Sequence, residues 1–222
     1  MKTKTRFLIS FLFLLSNVSF SQLNNFGIKG GLNLSNAKLE SEFYSNFNGM
    51  KNKTGFNVYL TYDFLNCNNI ILSVEAGYSR KGFNEDNPLT DEFGNDIGTW
   101  TIYNRLNYID VNAVAEFILR NKSVSPYFSL GPVISFYTGY NTSTTLTSFE
   151  PQIIEYEDQT LGNLKSPVLG FITGAGVEIS KVIPQAIIAE VRYNFDLTNS
   201  FNNGFLNYQR NYLWQFNLGV KF

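Results

Sequence analysis

Seven charged side chains stand at every-second-residue positions within otherwise alternating segments: Lys29, Glu75, Glu116, Glu178, Glu190, Arg192 and Lys221. Carboxylates held close together are the material of general acid–base chemistry, because each raises its neighbour's pKa. Carboxylates held beside Lys and Arg make ion pairs that fix structure. The residue types alone allow both readings. Other chemistry is closed more firmly. The 222 residues include no histidine, which removes histidine bases, histidine triads and the commonest metal ligand. The single cysteine, Cys67, can form neither an intrachain disulfide nor a thiolate cluster. No serine lies in a recognisable nucleophile-elbow motif. Acidic residues gather at Glu85, Asp86, Asp91, Glu92 and Asp96, and again at Glu150, Glu155, Glu157 and Asp158, but at no calcium-loop spacing. The expectation is a protein without catalytic residues, cofactor or metal.

The elements that must position these groups are strands. Hydrophobic residues make up 44% of the chain and aromatics 16%, while charged residues reach only 16%, well under the quarter usual in soluble domains. A formal charge of −1 offers no electrostatic footprint for nucleic acid. Residues 1–21 read as a secretory signal peptide: Lys2, Lys4 and Arg6 precede the apolar run Phe7–Leu15, and Ser19-Phe20-Ser21 places small residues before a cut at Gln22. The mature domain is then 22–222, and loss of the three cations leaves it near −4. No later window is apolar enough for a membrane helix.

Past residue 22 the period is two. Phe26, Ile28, Leu32 and Leu34 alternate with Gly27, Lys29, Gly31, Asn33 and Ser35; Phe56, Val58, Leu60, Tyr62 and Phe64 alternate with Asn57, Tyr59, Thr61 and Asp63. Six further runs begin near Ile70, Tyr108, Tyr127, Leu169, Ile187 and Tyr212. Across the eight apolar faces there is no charge. Ile102 and Leu106 have the opposite parity to the run that follows, which predicts a bulge near Asn107. Pro132 removes a ladder donor and predicts another.

The apolar face can look inward, as in a lipocalin, or outward to lipid. Three observations favour lipid. Glycines (Gly31, Gly77, Gly131, Gly174, Gly176, Gly219) crowd the polar face, as the inside of a narrow barrel requires. Aromatics collect near both ends of the apolar face, as girdles do at membrane interfaces. A lipid-facing charge at the midplane costs about 2–4 kcal/mol, and none is present. Connections alternate short (65–69, 119–126, 180–185) and long (36–53, 83–101, 141–166, 196–211). That is the plan of an eight-stranded antiparallel up-and-down transmembrane β-barrel, with both termini and the short turns periplasmic and the long loops extracellular.

Several short stretches resemble the PorT-like outer-membrane β-barrel family: FGIKGGLNLS at Phe26–Ser35, EAGYSRKG at Glu75–Gly82, YIDV at Tyr108–Val111, PYFSLGP at Pro126–Pro132, GAGVE at Gly174–Glu178 and EVRY at Glu190–Tyr193. Asn112 stands where that family usually has proline. The resemblance implies an outer-membrane barrel. Its terminal strand, with Trp214, Phe216, Leu218, Val220 and Phe222, is similar to the signal read by barrel-assembly machinery. It also implies a structural or docking role in the envelope, as an accessory to secretion, with outer-membrane lipid and an envelope or secretion protein as partners. The residues themselves leave two alternatives open: a surface binding module using the long loops, and a small-solute or ion pore.

Overall fold

The computed structural model describes residues 25–40, 50–121, 123–148, 166–180, 185–200 and 208–222. The expected signal peptide and the acidic cluster Glu150–Asp158 lie outside them. Eight strands run in chain order: β1 (Phe26–Glu40), β2 (Met50–Cys67), β3 (Ile70–Thr90), β4 (Asp96–Ile118), β5 (Val124–Ser148), β6 (Val168–Ile179), β7 (Ala186–Asp196) and β8 (Tyr208–Lys221). Each pairs antiparallel with its neighbours, and β1 closes on β8 from Gly27↔Lys221 to Glu40↔Tyr208. Closure leaves no sheet edge in the bilayer, where an unpaired backbone group has no water to bind.

The alternation separates outside from inside. Leu32, Leu60 and Leu218 are 67%, 63% and 68% exposed and form the middle of the outer surface. Phe26, Phe64, Phe117 and Phe128 belt it near the short-turn end; Phe56, Phe136 and Trp214 belt it at the far end, where Tyr193 stacks on Trp214 at 4.9 Å. Phe56 and Phe64 are eight residues apart on β2, which at about 3.3 Å per residue and a tilt near 40° sets the belts about 20 Å apart, somewhat less than the apolar band of about 25 Å on such barrels. Inside, Tyr59, Ile118, Ile172 and Leu213 are buried with the polar residues.

Three sequence-based expectations change. Leu106 points inward with Tyr108, in a buried cluster with Ala37, Phe83 and Val168, so β4 keeps one parity from Gly98 onward. The bulge expected near Asn107 is there in the β4–β5 pairing, with its extra residue on β5: Asn107 pairs Gly139 and Tyr108 pairs Tyr137, leaving Thr138 over. Pro132 causes no bulge. The β4–β5 ladder skips from Asn112↔Val133 to Ala115↔Leu130 without changing register, and Pro132 faces outward, where its ring meets lipid. Finally, the long connection 83–101 is mostly strand. β3 and β4 pair out to Thr90↔Asp96, leaving a turn at 91–95, and Asn141–Ser148 continues β5. These extensions lie beyond the far belt, where polar side chains are wetted and the apolar alternation has no cause.

At the other end β2 and β3 join through Asn68-Asn69, with Asn68 at φ 43°, a left-handed conformation asparagine tolerates. Inside the barrel, Tyr59 lies opposite Gly77, and a Cβ there would stand 2.6 Å from the Tyr59 ring and 2.1 Å from the Val58 carbonyl oxygen. Gly77→Val therefore has to displace both ring and backbone. The expected result is a barrel that unfolds at lower urea concentration and loses part of its mobility difference between boiled and unboiled gel samples; an unchanged midpoint would contradict this packing.

Candidate functional site

The lumen of an eight-stranded barrel is only as wide as the side chains that fill it, and alternation sends β1, β3, β7 and β8 residues to meet there. At its centre Arg192 of β7 makes a two-pronged pair with Glu75 of β3, Nη1 donating to Oε2 at 2.6 Å and Nη2 to Oε1 at 2.8 Å. Lys29 of β1 donates to Glu75 at 2.5 Å and to Glu190 at 3.2 Å. Arg192 Nε also donates to Glu190. Asn112 completes Glu75 at 3.0 Å and Ser129 completes Glu190 at 3.2 Å. Two cations face two carboxylates, all four are buried, and each carboxylate oxygen accepts at least one bond. Charges removed from water need this density of partners.

A triad flanks the quartet on each side. Toward the short turns, Lys221 lies 3.1 Å from Asp63 and 2.9 Å from Glu116. Toward the far end, Lys81 lies 3.5 Å from Asp110 and 4.0 Å from Asp196, above the Tyr108 ring at 4.8 Å, and donates to Ser135 at 2.9 Å. Tyr59 donates to Asp110 at 3.1 Å and Asn211 to Asp196 at 2.7 Å. The lumen thus brings together Lys29, Glu75, Glu190 and Arg192 in one group and Glu116 and Lys221 in a second. Glu178 joins neither. It lines a cavity of about 220 Å³ at the short-turn mouth with Asp63, Arg120, Lys221 and Phe222, and makes no ion pair among the described residues.

Sequence reasoning missed the Lys81 triad. Asp63 and Asp110 were visible on polar faces, and extending the β3 parity two residues past Ser79 would have found Lys81. The β8 residues lie outside the ring: Trp214, Phe216 and Leu218 are exposed on the lipid face, Val220 and Phe222 are half-buried, and the Phe222 N–H donates to the Phe26 carbonyl at 2.8 Å. Cys67 is exposed at the end of β2.

The acidic residues of the β3–β4 hairpin do not converge. Asp91 is taken up by its own turn: the Asn95 side chain and backbone, then the Phe93 and Gly94 N–H groups, hold its carboxyl below the usual carboxylate range. Asp86 is lowered by bonds from Lys51 and Thr101, and Lys51 is raised in return. Glu85 accepts from Asn104 at 3.0 Å. Among the described residues no three such groups come together as metal ligands.

The quartet and the triads differ in what they lose on neutralisation. Glu75→Gln leaves Arg192 and Lys29 with one carboxylate between them in a dry site, an expected cost of about 3–5 kcal/mol in urea unfolding of the micelle-borne protein. Glu116→Gln leaves Lys221 with Asp63 at the mouth and is expected to cost about 1 kcal/mol. Equal costs would remove the ranking.

A search of curated proteins finds no match for this sequence. Among solved structures it is similar to Neisserial surface protein A, at 16% identity over 89% of this chain and 97% of that one, TM-score 0.43. It is similar to Ail, the attachment invasion locus protein of Yersinia pestis, in complex with the heparin analogue sucrose octasulfate, at 18% identity over 89% and 98% of the two chains, TM-score 0.40. The outer membrane protease OmpT from Escherichia coli is 11% identical over 90% and 97%, TM-score 0.40. The family of outer membrane protein beta-barrel domains matches residues 20–202. The chain belongs to that family, as a transmembrane eight-stranded barrel of the Gram-negative outer membrane.

Proposed function

We propose that this protein is a non-enzymatic scaffold of the outer membrane, exported with residues 1–21 removed, that holds a tall polar ridge outside the cell as a docking element. The observation that carries the reading is the mismatch in strand length. β3, β4 and β5 have 21, 23 and 25 residues, whereas β6, β7 and β8 have 12, 11 and 14. About ten tilted residues cross a bilayer, so the long strands carry on for about 30 Å more. Such an investment in paired backbone beyond the membrane suits a surface that something else grips. The filled lumen supports the same reading: Tyr59, Tyr108 and Arg192 are all buried across the bore, which disfavours a pore. Glu75 and Glu190, saturated by their cations, Asn112 and Ser129, are also not poised as bases for catalysis.

A secretion accessory of the PorT kind is the docking role we favour, with an envelope or secretion protein as partner and barrel-assembly machinery engaged during insertion. Affinity capture from crosslinked outer membranes tests it. A reproducible secretion or envelope partner is expected with the full chain and is lost when Pro88–Gly98 is replaced by a short turn. Recovery of the barrel alone, or capture that survives the trimming, would refute docking through the ridge.

Orientation has its own test, because Cys67 sits at a short turn and is the chain's one thiol. With short turns periplasmic, a maleimide too large to cross the outer membrane is expected to leave Cys67 unmodified in intact cells and to label it after permeabilisation. Labelling of intact cells would invert the barrel.

A further inference from the structure

Beyond the far aromatic belt, the strand register turns a set of cations outward on one arc of the wall. Arg80 pairs Asn107, Gly82 pairs Arg105, and Lys51 pairs Asn84, all on the outer face of β2–β4. Arg80 stacks on the belt residue Phe56, its guanidinium carbon 4.9 Å from the ring centroid, and its Nε donates to Asn107 Oδ1 at 3.3 Å. Tyr78 donates to the same oxygen at 2.6 Å, which anchors the Arg80 site at belt level. Lys53 lies along the wall with its ammonium 4.8 Å from the Tyr103 ring and donates to Asn84 Oδ1 at 3.1 Å. Gly82 lies between Lys53 and Arg105. It presents no side chain, and the Lys53 stem lies over it, with Cδ 3.2 Å from where a Cβ would stand, which leaves Lys53 only 8% exposed.

The charge count on this arc is lopsided. Among the described residues, β2–β4 turn Asp86 outward beyond the belt, where Lys51 already pairs with it, and end at the exposed Asp96, which pairs Thr90 at the distal turn and accepts from the Gly98 N–H. Lys53 and Arg80 have only neutral partners, and Arg105, which is exposed, has no bond among the described residues. The neighbouring β5 offers Gly139, Asn141, Ser143, Thr145 and Thr147 and no cation, while on the other side of β2 the register pairs Lys38 of β1 with Arg210 of β8 on the outer face. Three cations at the height of lipid headgroups, with no carboxylate paired to any of them, call for an anion from the membrane. A phosphate fits best, because guanidinium forks bind its oxygens in pairs and the headgroup plane supplies it.

We propose that Arg80, Arg105 and Lys53 seat the phosphate of an anionic lipid in the leaflet that meets the far end of the barrel. The seat fixes the barrel's depth and couples it to that leaflet's phosphates. It rests on the membrane placement of the chain and not on which end faces outward; inverted Cys67 labelling would change the leaflet and leave the seat intact.

The test is competition in zwitterionic micelles. The full chain is offered equal amounts of dioleoyl phosphatidic acid and dioleoyl phosphatidylcholine, and retained lipid is read by native mass spectrometry. The wild-type chain is expected to retain phosphatidic acid about tenfold over phosphatidylcholine, since each interfacial cation contributes a fraction of such a preference. Arg80→Gln/Arg105→Gln is expected to bring the ratio close to one while keeping the boiled-versus-unboiled gel shift. Retention of both lipids equally by wild type, or an unchanged preference in the variant, would overturn the proposal. So would displacement of the lipid by an equal amount of inorganic phosphate. Should the variant fail to fold, a salt titration of wild type decides: the preference is expected to fall as salt rises, and a salt-insensitive ratio overturns the seat.

Discussion

Closure of β1 on β8 is the constraint from which the rest of this molecule follows. A sheet in hydrocarbon cannot leave donors and acceptors unpaired, so the strands have to form a ring. A ring of eight is so narrow that its bore holds side chains and little else. Everything polar that alternation sends inward must then find its partners within that bore. Arg192, Glu75, Lys29 and Glu190 come from β7, β3 and β1, and meet only because the wall curves back on itself. Glycine at positions such as 77 and 176 gives Tyr59 and Tyr127 room to lie against the wall. The ion quartet is thus a product of closure, and it also holds closure in place, since opening the ring would strand four buried charges.

Electrostatics inside and outside the wall follow opposite rules. Inside, each cation is matched by one or two carboxylates, because no solvent can do so. Outside, along the bilayer's apolar band, the described strands carry no charge at all, and the first charges beyond the far belt are mostly positive. The change takes place within a few residues of Phe56 and Tyr78, whose rings lie 5.3 Å apart at the boundary. The same β3 strand holds Glu75 inward and Arg80 outward, so strand parity alone decides which set of rules a residue obeys.

Much of this was legible in the sequence because a period of two is a strong physical signal. Strand number, up-and-down order, the facing of the wall and the inward turn of Lys29, Glu75, Glu116, Glu190, Arg192 and Lys221 could all be read from alternation. Partner choice could not. That Glu75 meets Arg192 across 117 positions depends on the stagger around the ring, which leaves no mark on any single strand. Leu106 misled because an apolar residue was assumed to face lipid, whereas this lumen also has apolar clusters at both ends, such as Ile71 with Ile118 and Ile188. The extensions of β3 and β4 escaped notice because outside the bilayer either face of a strand can be polar, and the pattern disappears while the hydrogen bonds continue.

One residue, Thr138, reverses a surface. As the extra residue of the β4–β5 pairing, it shifts the parity of everything beyond it on β5, so that Gly139, Asn141 and Ser143 face outward while Tyr140 and Thr142 turn toward Asn104. Its hydroxyl donates to the Asn107 carbonyl at 3.0 Å, which keeps the bulge in place. In evolutionary terms this makes chain length at that point a two-way switch. A relative lacking one residue there would keep the same barrel and the same β4, yet present the other side of its distal β5 to the surroundings. Divergence of the exposed ridge can therefore proceed by single insertions and deletions, with no change in the membrane-embedded part of the protein.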